Sequence, residues 1–590
     1  MTEFRFSPRE NRAHEIGWMP WGEDAFARAR AEDKPILLSI SAVWCHWCHV
    51  MDETSYSDPA VIAAIKQLYV PVRVDNDKRP DVNARYNMGG WPTTAFLTPD
   101  GATLAGATYL PPEQMRHALD EIAEFYATKK EQIEERARDL ASRRSSYQPA
   151  DPSELREAAV IRLIEELSEG YDREYGGFGD APKFPQPEML ELLLMQWRLR
   201  GDARLYEMVA KTMNGMSRGG MYDHVEGGFF RYSTTRDWSV PHFEKMAEDH
   251  AGLLRVLALQ LTFAPTGEVR ETLVSALNYV RTVLRDPQTA FFAGSQDADE
   301  TYYELPLDQR RALPTPFVDR TSYTNWTCGL AGAFALAGRA LDDDLYVNEA
   351  METLDRVAEQ LSDPDGLLYH VLAPESAPSV RGLLTDQVAY VRALLDTHEA
   401  SGEPRFLARA VAMADRIIAR FAGEDGGFYD RIAIERSIGR LDIPDRPIVD
   451  GGIFAEALLR LSALTGEPRF RAEAERTLAL YARTYAAAAS FASAYARALT
   501  RYLGSEITVR IVGTPAGTAG FREAGFRLPT PLVSIATMSA EEAAAHGIPA
   551  EPAPAAYVCV GTVCAAPALE PGGVRAAYES LETSSAGRRT

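Results

Sequence analysis

The chain is 590 residues long, with 84 acidic and 62 basic side chains, a formal net charge of -22 and five cysteines. That length exceeds what one hydrophobic core normally supports, the acidic balance repels nucleic acid and anionic membrane surfaces, and so few cysteines in so long a chain exclude a structural disulfide framework. With 46% apolar residues, 25% charged residues and no apolar run long enough to cross a bilayer, the composition predicts a cytoplasmic protein with neither nucleic acid nor membrane as partner.

In chain order, EDAFARARAED (23 to 33) has apolar positions at helical spacing and stops at Lys34-Pro35. PILLSISAVW is of strand length, and Cys45 and Cys48 follow it directly. VMDETSYSDPAVIAAIKQL reads as helix interrupted near Pro59, and LYVPVRVDND as a second strand. GGWPTTAFLTPDGATLAGATYL is two extended runs about Pro99-Asp100-Gly101, and a charged helix is expected over about 112 to 141. These elements define an α/β domain over 1–141, and the polar SRRSSYQPADPSE (142–154) a linker. From 155 to 504 helices of ten to twenty residues alternate with loops on one theme: YGGFGD, EGGFFR, TAFFAG, DGLLYH and EDGGFYDR. A helix pair with one such loop cannot bury its apolar face alone, so the pairs must stack as an open solenoid or close into an α/α ring. SEITVRIVG and EPAPAAYVCVGTVC mark a small α/β appendage over 505–590. The predicted fold class is multidomain, α/β plus all-α.

The densest chemistry is SAVWCHWCHVM, with Cys45, His46, Cys48 and His49 in five positions. Thiol–disulfide exchange needs two thiols close enough to bridge and one poised as thiolate. Cys45 stands where an extended run passes into a helix, whose free amides and dipole favour the anion. Cys48, one turn on, is placed to resolve, and His46 can lower the Cys45 pKa further. Pro92, in Trp91-Pro92-Thr93, matches the cis-proline that lies beside the dithiol in thioredoxin-like folds. The letters also fit c-type haem attachment, which requires export, and zinc binding, which four ligands within five residues satisfy poorly unless Cys559 and Cys564 contribute. Cys559 and Cys564 form a possible second dithiol or a plain strand pair. Cys328, in an apolar helix-like stretch, reads as a small buried hydrophobe.

The stretches NRAHEIGWMPWGEDAF, AVWCHWCHVM, VRVDNDKRPDVN, GGWPTTAFLTPDG, GGFGDAPKFPQP, VPHFEKMAEDHA, SQDADE and YVCVGTVCAAP resemble the spermatogenesis-associated protein 20-like family over nearly the whole chain. The resemblance implies an N-terminal thioredoxin-like domain followed by a six-hairpin glycosidase-like (α/α)6 toroid. The chain departs from the thioredoxin pattern at Ser39, where thioredoxins bury an aspartate, and at His46-Trp47 between the cysteines. The stretches from His14 to Trp21 and from Asp81 to Gly89 are shorter than the family's.

A toroid gathers its inter-helix loops around one mouth, where acidic and aromatic residues can handle a sugar. The candidates are Asp223, His224, His242, Glu244, Asp249, Asp297, Asp299, Asp386 and Asp450, with Phe229, Tyr232, Trp238 and Phe292 nearby. Each has a plain alternative as helix cap, ion pair or core residue. The leading expectation is a redox or redox-sensing protein with a protein disulfide or thioredoxin-system partner. Its rivals are a carbohydrate epimerase or hydrolase in the toroid and a non-enzymatic scaffold; no cofactor and no metal is expected.

Overall fold

The computed structural model describes residues 4–133, 135, 149–432 and 438–586, with side chains to Glu582. The chain forms two compact units: Met1–Tyr147 with Arg431–Asp445, and Gln148–Asp430 with Arg446–Thr590.

In the first unit α1 (Glu23–Glu32), β1 (Ile36–Ser41), α2 (His46–Glu53), α3 (Pro59–Leu68), β2 (Val70–Asp75), α4 (Pro80–Tyr86), β3 (Thr93–Leu97), β4 (Thr103–Ala107) and α5 (Pro112–Thr128) follow in order. The sheet runs β2-β1-β3-β4, with β1 parallel to β2 and antiparallel to β3. Both faces of β1 are covered, and all six of its residues are buried, Ser39 and Ser41 included. Ile36, Leu38 and Ile40 meet Phe26 of α1 and Val82 and Tyr86 of α4, while Leu37 meets Ile65 of α3 and Met115 of α5. Arg431–Asp445 supplies Leu441 to the first of these cores, and its Arg440 N–H donates to the Tyr86 hydroxyl at 2.7 Å. The helix expected over 112 to 141 breaks after Thr128, whose hydroxyl turns back to the Glu124 carbonyl at 2.8 Å. Positions 136 to 141 of that expectation, and 142 to 148 of the expected linker, lie outside the described residues.

In the second unit α6 (Glu157–Glu169), α7 (Pro187–Arg200), α8 (Ala203–Arg218), α9 (Ala247–Phe263), α10 (Gly267–Tyr279), α11 (Thr324–Leu341), α12 (Asp344–Gln360), α13 (Leu384–Ser401), α14 (Pro404–Phe421), α15 (Ile448–Thr465), α16 (Pro468–Tyr481) and α17 (Ser493–Leu503) build a ring. Among the described residues α7, α9, α11, α13, α15 and α17 each pack on the next, and α17 packs back on α7. The outer layer is α8, α10, α12, α14 and α16, each against the inner helix before it, with α6 against α17. The ring is therefore closed, which excludes the open solenoid. Gly452 permits one of these approaches, since a Cβ there would lie 2.5 Å from the Tyr495 amide of α17. The glycine and aromatic loops repeat a local bridge: Tyr171 pairs with Phe178, Tyr222 with Phe229, Arg285 with Phe292, Ser362 with Leu368, and Ala422 with Phe428. Loop strands of two to four residues, such as Lys245–Met246 against Ser295–Gln296, add pairing that the helical pattern did not predict.

Charged pairs line the bore. Asp396 receives Arg255 and Arg460, Glu191 receives Arg392, and Glu456 receives Arg497. Most of these side chains line a cavity of about 120 Å³, walled also by Phe526, Thr530 and Pro531. Those residues belong to the terminal segment of β5 (Ile507–Val512), α18 (Ala519–Phe526), β6 (Val533–Met538), β7 (Ala555–Val560), β8 (Val563–Cys564) and α19 (Gly573–Ala586), with sheet order β6-β5-β7-β8. Cys328 is fully buried in α11.

Candidate functional site

Cys45 is the N-cap of α2. Its Sγ accepts the Cys48 amide N–H at 3.2 Å, and the two sulfurs are joined, with the Cα atoms 5.2 Å apart. The position follows from the sequence: β1 ends at Ser41, a short turn follows, and α2 begins at His46. The register Ile40↔Thr93 brings the cis Trp91-Pro92 pair to the same end of β1. Trp44 and Trp91 meet edge to face at 5.8 Å, fastening the turn before Cys45 to the proline loop. The Trp44 indole N–H donates to Asp77 Oδ2 at 2.7 Å, and Asn76 donates to its other oxygen at 2.8 Å. Cys45 and Cys48 are both buried, at 4% and 2% exposure. Trp47 is exposed and leans on Tyr109, giving the site an apolar rim.

The two histidines differ. His46 lies partly open with its ring against Trp47. His49 is pushed down to about 4, first by burial and then by the charge of Arg5, so it is neutral at pH 7 and adds no cation. Ser39 is fully buried in the place where thioredoxins carry an acid. The buried acid is instead Asp52, one turn beyond Cys48 on the same face of α2, paired at 2.8 and 3.0 Å with Arg73 of β2. Sequence reasoning missed this pair, as well as Asp77 and Trp44. The signal was an arginine inside the apolar strand VPVRVD, which needs a buried counter-charge.

In the toroid, Asp249, Asp386 and Asp450 occupy the third position of α9, α13 and α15, and Asn325 the second of α11, so they gather where those inner helices begin. Asp249 is pushed up to about 8 by burial, with Glu248 and Glu244 adding repulsion. Asp450 is pushed up to about 7 by burial and by Asp386 and Asp430, against a hydrogen bond from Thr385. Asp386 accepts from the Asn325 amide at 3.1 Å and lies 2.8 Å from His370 Nδ1, while its Oδ2 has no partner. Glu244 is buried with one oxygen on His242 Nδ1 and the other unpartnered, and His242 stacks on Tyr232 at 4.9 Å.

Of the remaining candidates, Asp223 and Asp299 have structural duties. Asp223 accepts the Val225 amide and takes Lys245 and Arg310, each at 2.8 Å. The preceding loop repeats this with Asp172, the Glu174 amide and Lys183, which marks a loop brace shared by these two hairpins. His224 is exposed, with Nε2 3.0 Å from the Gly219 carbonyl. Asp299 caps the turn at Tyr302, and Asp297 is buried beside Phe317, whose carbonyl its amide meets. Phe229 and Trp238 are core residues. Cys559 and Cys564 face each other across β7 and β8 and are joined. Among the described residues no group of three or more His, Cys, Asp or Glu side chains could hold a metal ion, and no helix is long and apolar enough to cross a membrane.

A thioredoxin-like unit with a dithiol at a helix start, and a closed α/α toroid, define the class. Residues 8–144 match a thioredoxin-like DsbH model described as a protein of unknown function, DUF255. The chain belongs to the spermatogenesis-associated protein 20 family: it is 36% identical to spermatogenesis-associated protein 20 of Rattus norvegicus over 76% of this chain and 74% of that one. The thiol:disulfide interchange protein DsbD of Pseudomonas fluorescens is 32% identical over 14% of each chain. Among solved structures, cellobiose 2-epimerase from Bacillus thermoamylovorans aligns with 56% of this chain and 88% of its own, at TM-score 0.46 and 14% identity.

Proposed function

We propose that the first unit carries out thiol–disulfide exchange on protein substrates, in the cytoplasmic setting expected from the sequence. The observation that carries this reading is Cys45 Sγ at the start of α2, receiving the Cys48 N–H within bridging distance of Cys48. With the pair reduced, the Cys45 thiolate attacks a substrate disulfide and expels one substrate thiolate, leaving a mixed disulfide on Cys45. Cys48 then attacks Cys45 Sγ, releasing the second substrate thiol and closing the bond. The substrate gains two electrons and the pair loses them, to be returned by an external dithiol of the thioredoxin class. Trp47 and Tyr109 offer the apolar surface on which a peptide can lie.

The test is trapping. Cys48→Ser should accumulate a mixed disulfide on Cys45 with an oxidised peptide substrate, and Cys45→Ser should form none. Equal trapping by both variants, or by neither, refutes the assignment.

One observation favours a second activity, on a carbohydrate, in the toroid. Asp249 holds its proton near neutrality while the neighbouring Glu244 and the more distant Asp386 carry unpartnered oxygens. An acid kept protonated near neutrality with a second carboxylate close by is the combination that epimerisation or glycoside hydrolysis needs. Asp249→Asn should abolish turnover in a panel of neutral glycosides and reducing sugars. No turnover or binding by the intact protein removes this reading and leaves the first untouched.

A further inference from the structure

The second cysteine pair lies on a differently built surface. The loop between β7 and β8 has two residues, Gly561 and Thr562, with Gly561 at φ 58° in the first central position, where a primed turn requires it. Such a turn fixes the register, so Val560 pairs with Val563 and Cys559 with Cys564, the latter with Cα atoms 4.0 Å apart. The Ala565 amide donates to the Val558 carbonyl at 2.9 Å, which leaves the cysteines as the close, non-hydrogen-bonded pair of the ladder. β8 is the edge of the sheet, and Cys564 is exposed between Val563 and the open end of the hairpin. Cys559, one strand in, is fully buried. The two sulfurs therefore differ in access: only Cys564 can be approached from solvent.

The surroundings of Cys559 are polar on one side. Directly opposite residues of antiparallel strands share a face, so Thr508 of β5 stands beside Cys559, and Arg510 stands on its diagonal within reach of a long side chain. The other face, with Val509, Val558 and Ile535, is the apolar core. Thr508 is buried, and its hydroxyl has no partner. Arg510 is half-buried and, among the described residues, forms no ion pair or hydrogen bond, which is a costly way to place a guanidinium. An unspent hydroxyl and an unspent cation flank a buried sulfur. Each would be satisfied by a thiolate there.

We propose that Cys559–Cys564 is a second thiol–disulfide exchange site, reduced by a dithiol that attacks Cys564, with Thr508 and Arg510 stabilising the departing Cys559 thiolate. The incoming thiolate forms a bond to Cys564 Sγ as the Cys559–Cys564 bond breaks, and the electron pair leaves on Cys559. The second thiol of the reductant then attacks the mixed disulfide, so the reductant becomes a disulfide and Cys564 leaves as a thiolate. Two electrons and the two protons of the reductant's thiols pass to the pair. The co-reactant class is a dithiol, small or carried by a protein, and the edge strand offers an extended peptide a place to pair.

The experiment uses the intact chain with dithiothreitol as the probe, quenched by alkylation and read by mass spectrometry of the peptides holding each pair. Thr508→Val and Arg510→Met should each slow reduction of Cys559–Cys564 by roughly 10-fold and move its equilibrium towards the disulfide, as expected for a hydrogen bond or charge lost from a thiolate. Arg510→Lys should recover part of the loss. The Cys45–Cys48 peptide in the same digest reports the other site separately, so its behaviour neither supports nor harms this proposal. With glutathione disulfide, Cys559→Ser should take up a mixed disulfide on Cys564, and Cys564→Ser should leave Cys559 unmodified. The proposal is overturned if the pair resists millimolar dithiothreitol in the folded chain, if both Thr508→Val and Arg510→Met react as fast as the parent, or if Cys559 is the sulfur that traps. Circular dichroism confirms that each variant is folded before its rate is counted.

Discussion

Replacing Asp52 by Asn removes a charge that Arg73 has no means of replacing. The guanidinium is 3% exposed and makes two of its hydrogen bonds to Asp52, at 2.8 and 3.0 Å, and a third to Ser41 at 3.2 Å. Breaking a buried pair by neutralising one partner typically costs about 3–5 kcal/mol, because the other charge stays behind in a medium that cannot solvate it. Phe6 lies under the guanidinium at 4.8 Å and Trp18 at 5.8 Å, and the new amide can still accept one hydrogen bond, so the lower end, about 3 kcal/mol, applies here. A chain of two compact units need not unfold in one step, so the readout must be local. Hydrogen exchange of peptides spanning β1 and α2 serves, and about 3 kcal/mol corresponds to an acceleration of roughly 100-fold where exchange follows opening. The double change Asp52→Leu with Arg73→Met should recover most of that protection, since no charge is then stranded. Acceleration below about fivefold in Asp52→Asn, with the double variant no better than the single, refutes the argument that the pair is electrostatically closed.

His250 links stability to acid. Its Nε2 accepts the Phe229 amide at 2.9 Å, its Nδ1 faces the Met246 carbonyl at 2.7 Å, and burial pulls its pKa down to about 4. The unfolded chain therefore binds a proton between about pH 6.5 and 4 that the folded chain refuses, so the stabilisation is full above 6.5 and is lost as the pH falls towards 4. His250→Gln should flatten the fall measured by hydrogen exchange of peptides spanning α9 by on the order of 1–3 kcal/mol across that window, and parallel profiles would refute the assignment. Leu441→Ala, in the segment that joins the first core, should cost about 2–5 kcal/mol and accelerate exchange in α1 and α4; unchanged protection there would mean that Leu441 is not part of that core.

What the sequence made legible was local. ILLSIS is mostly apolar and too short for a helix, and the cysteines directly after it fall at a strand-to-helix junction, which is where α2 begins. Helical periodicity and the recurring glycine loops announced paired helices, but ring closure depends on α17 meeting α7, about three hundred positions apart, and no period records that contact. Charge was the least legible property. Arg255, Arg460 and Arg497 lie on helices whose pattern suggests a solvated stripe, yet they point into the bore and are paired with acids from other hairpins. Asp223 shows how the repeats themselves could have been used. YDREYGGF and YDHVEGGF align residue for residue at 171 and 222, and each is followed by a lysine that closes the same brace, Lys183 or Lys245. A carboxylate that recurs with its counter-ion in successive hairpins is maintaining the hairpin. Asp249, Asp386 and Asp450 also recur, at the third position of inner helices, but their partners differ from helix to helix. Repetition with the same partner indicates architecture, and repetition with changing partners does not.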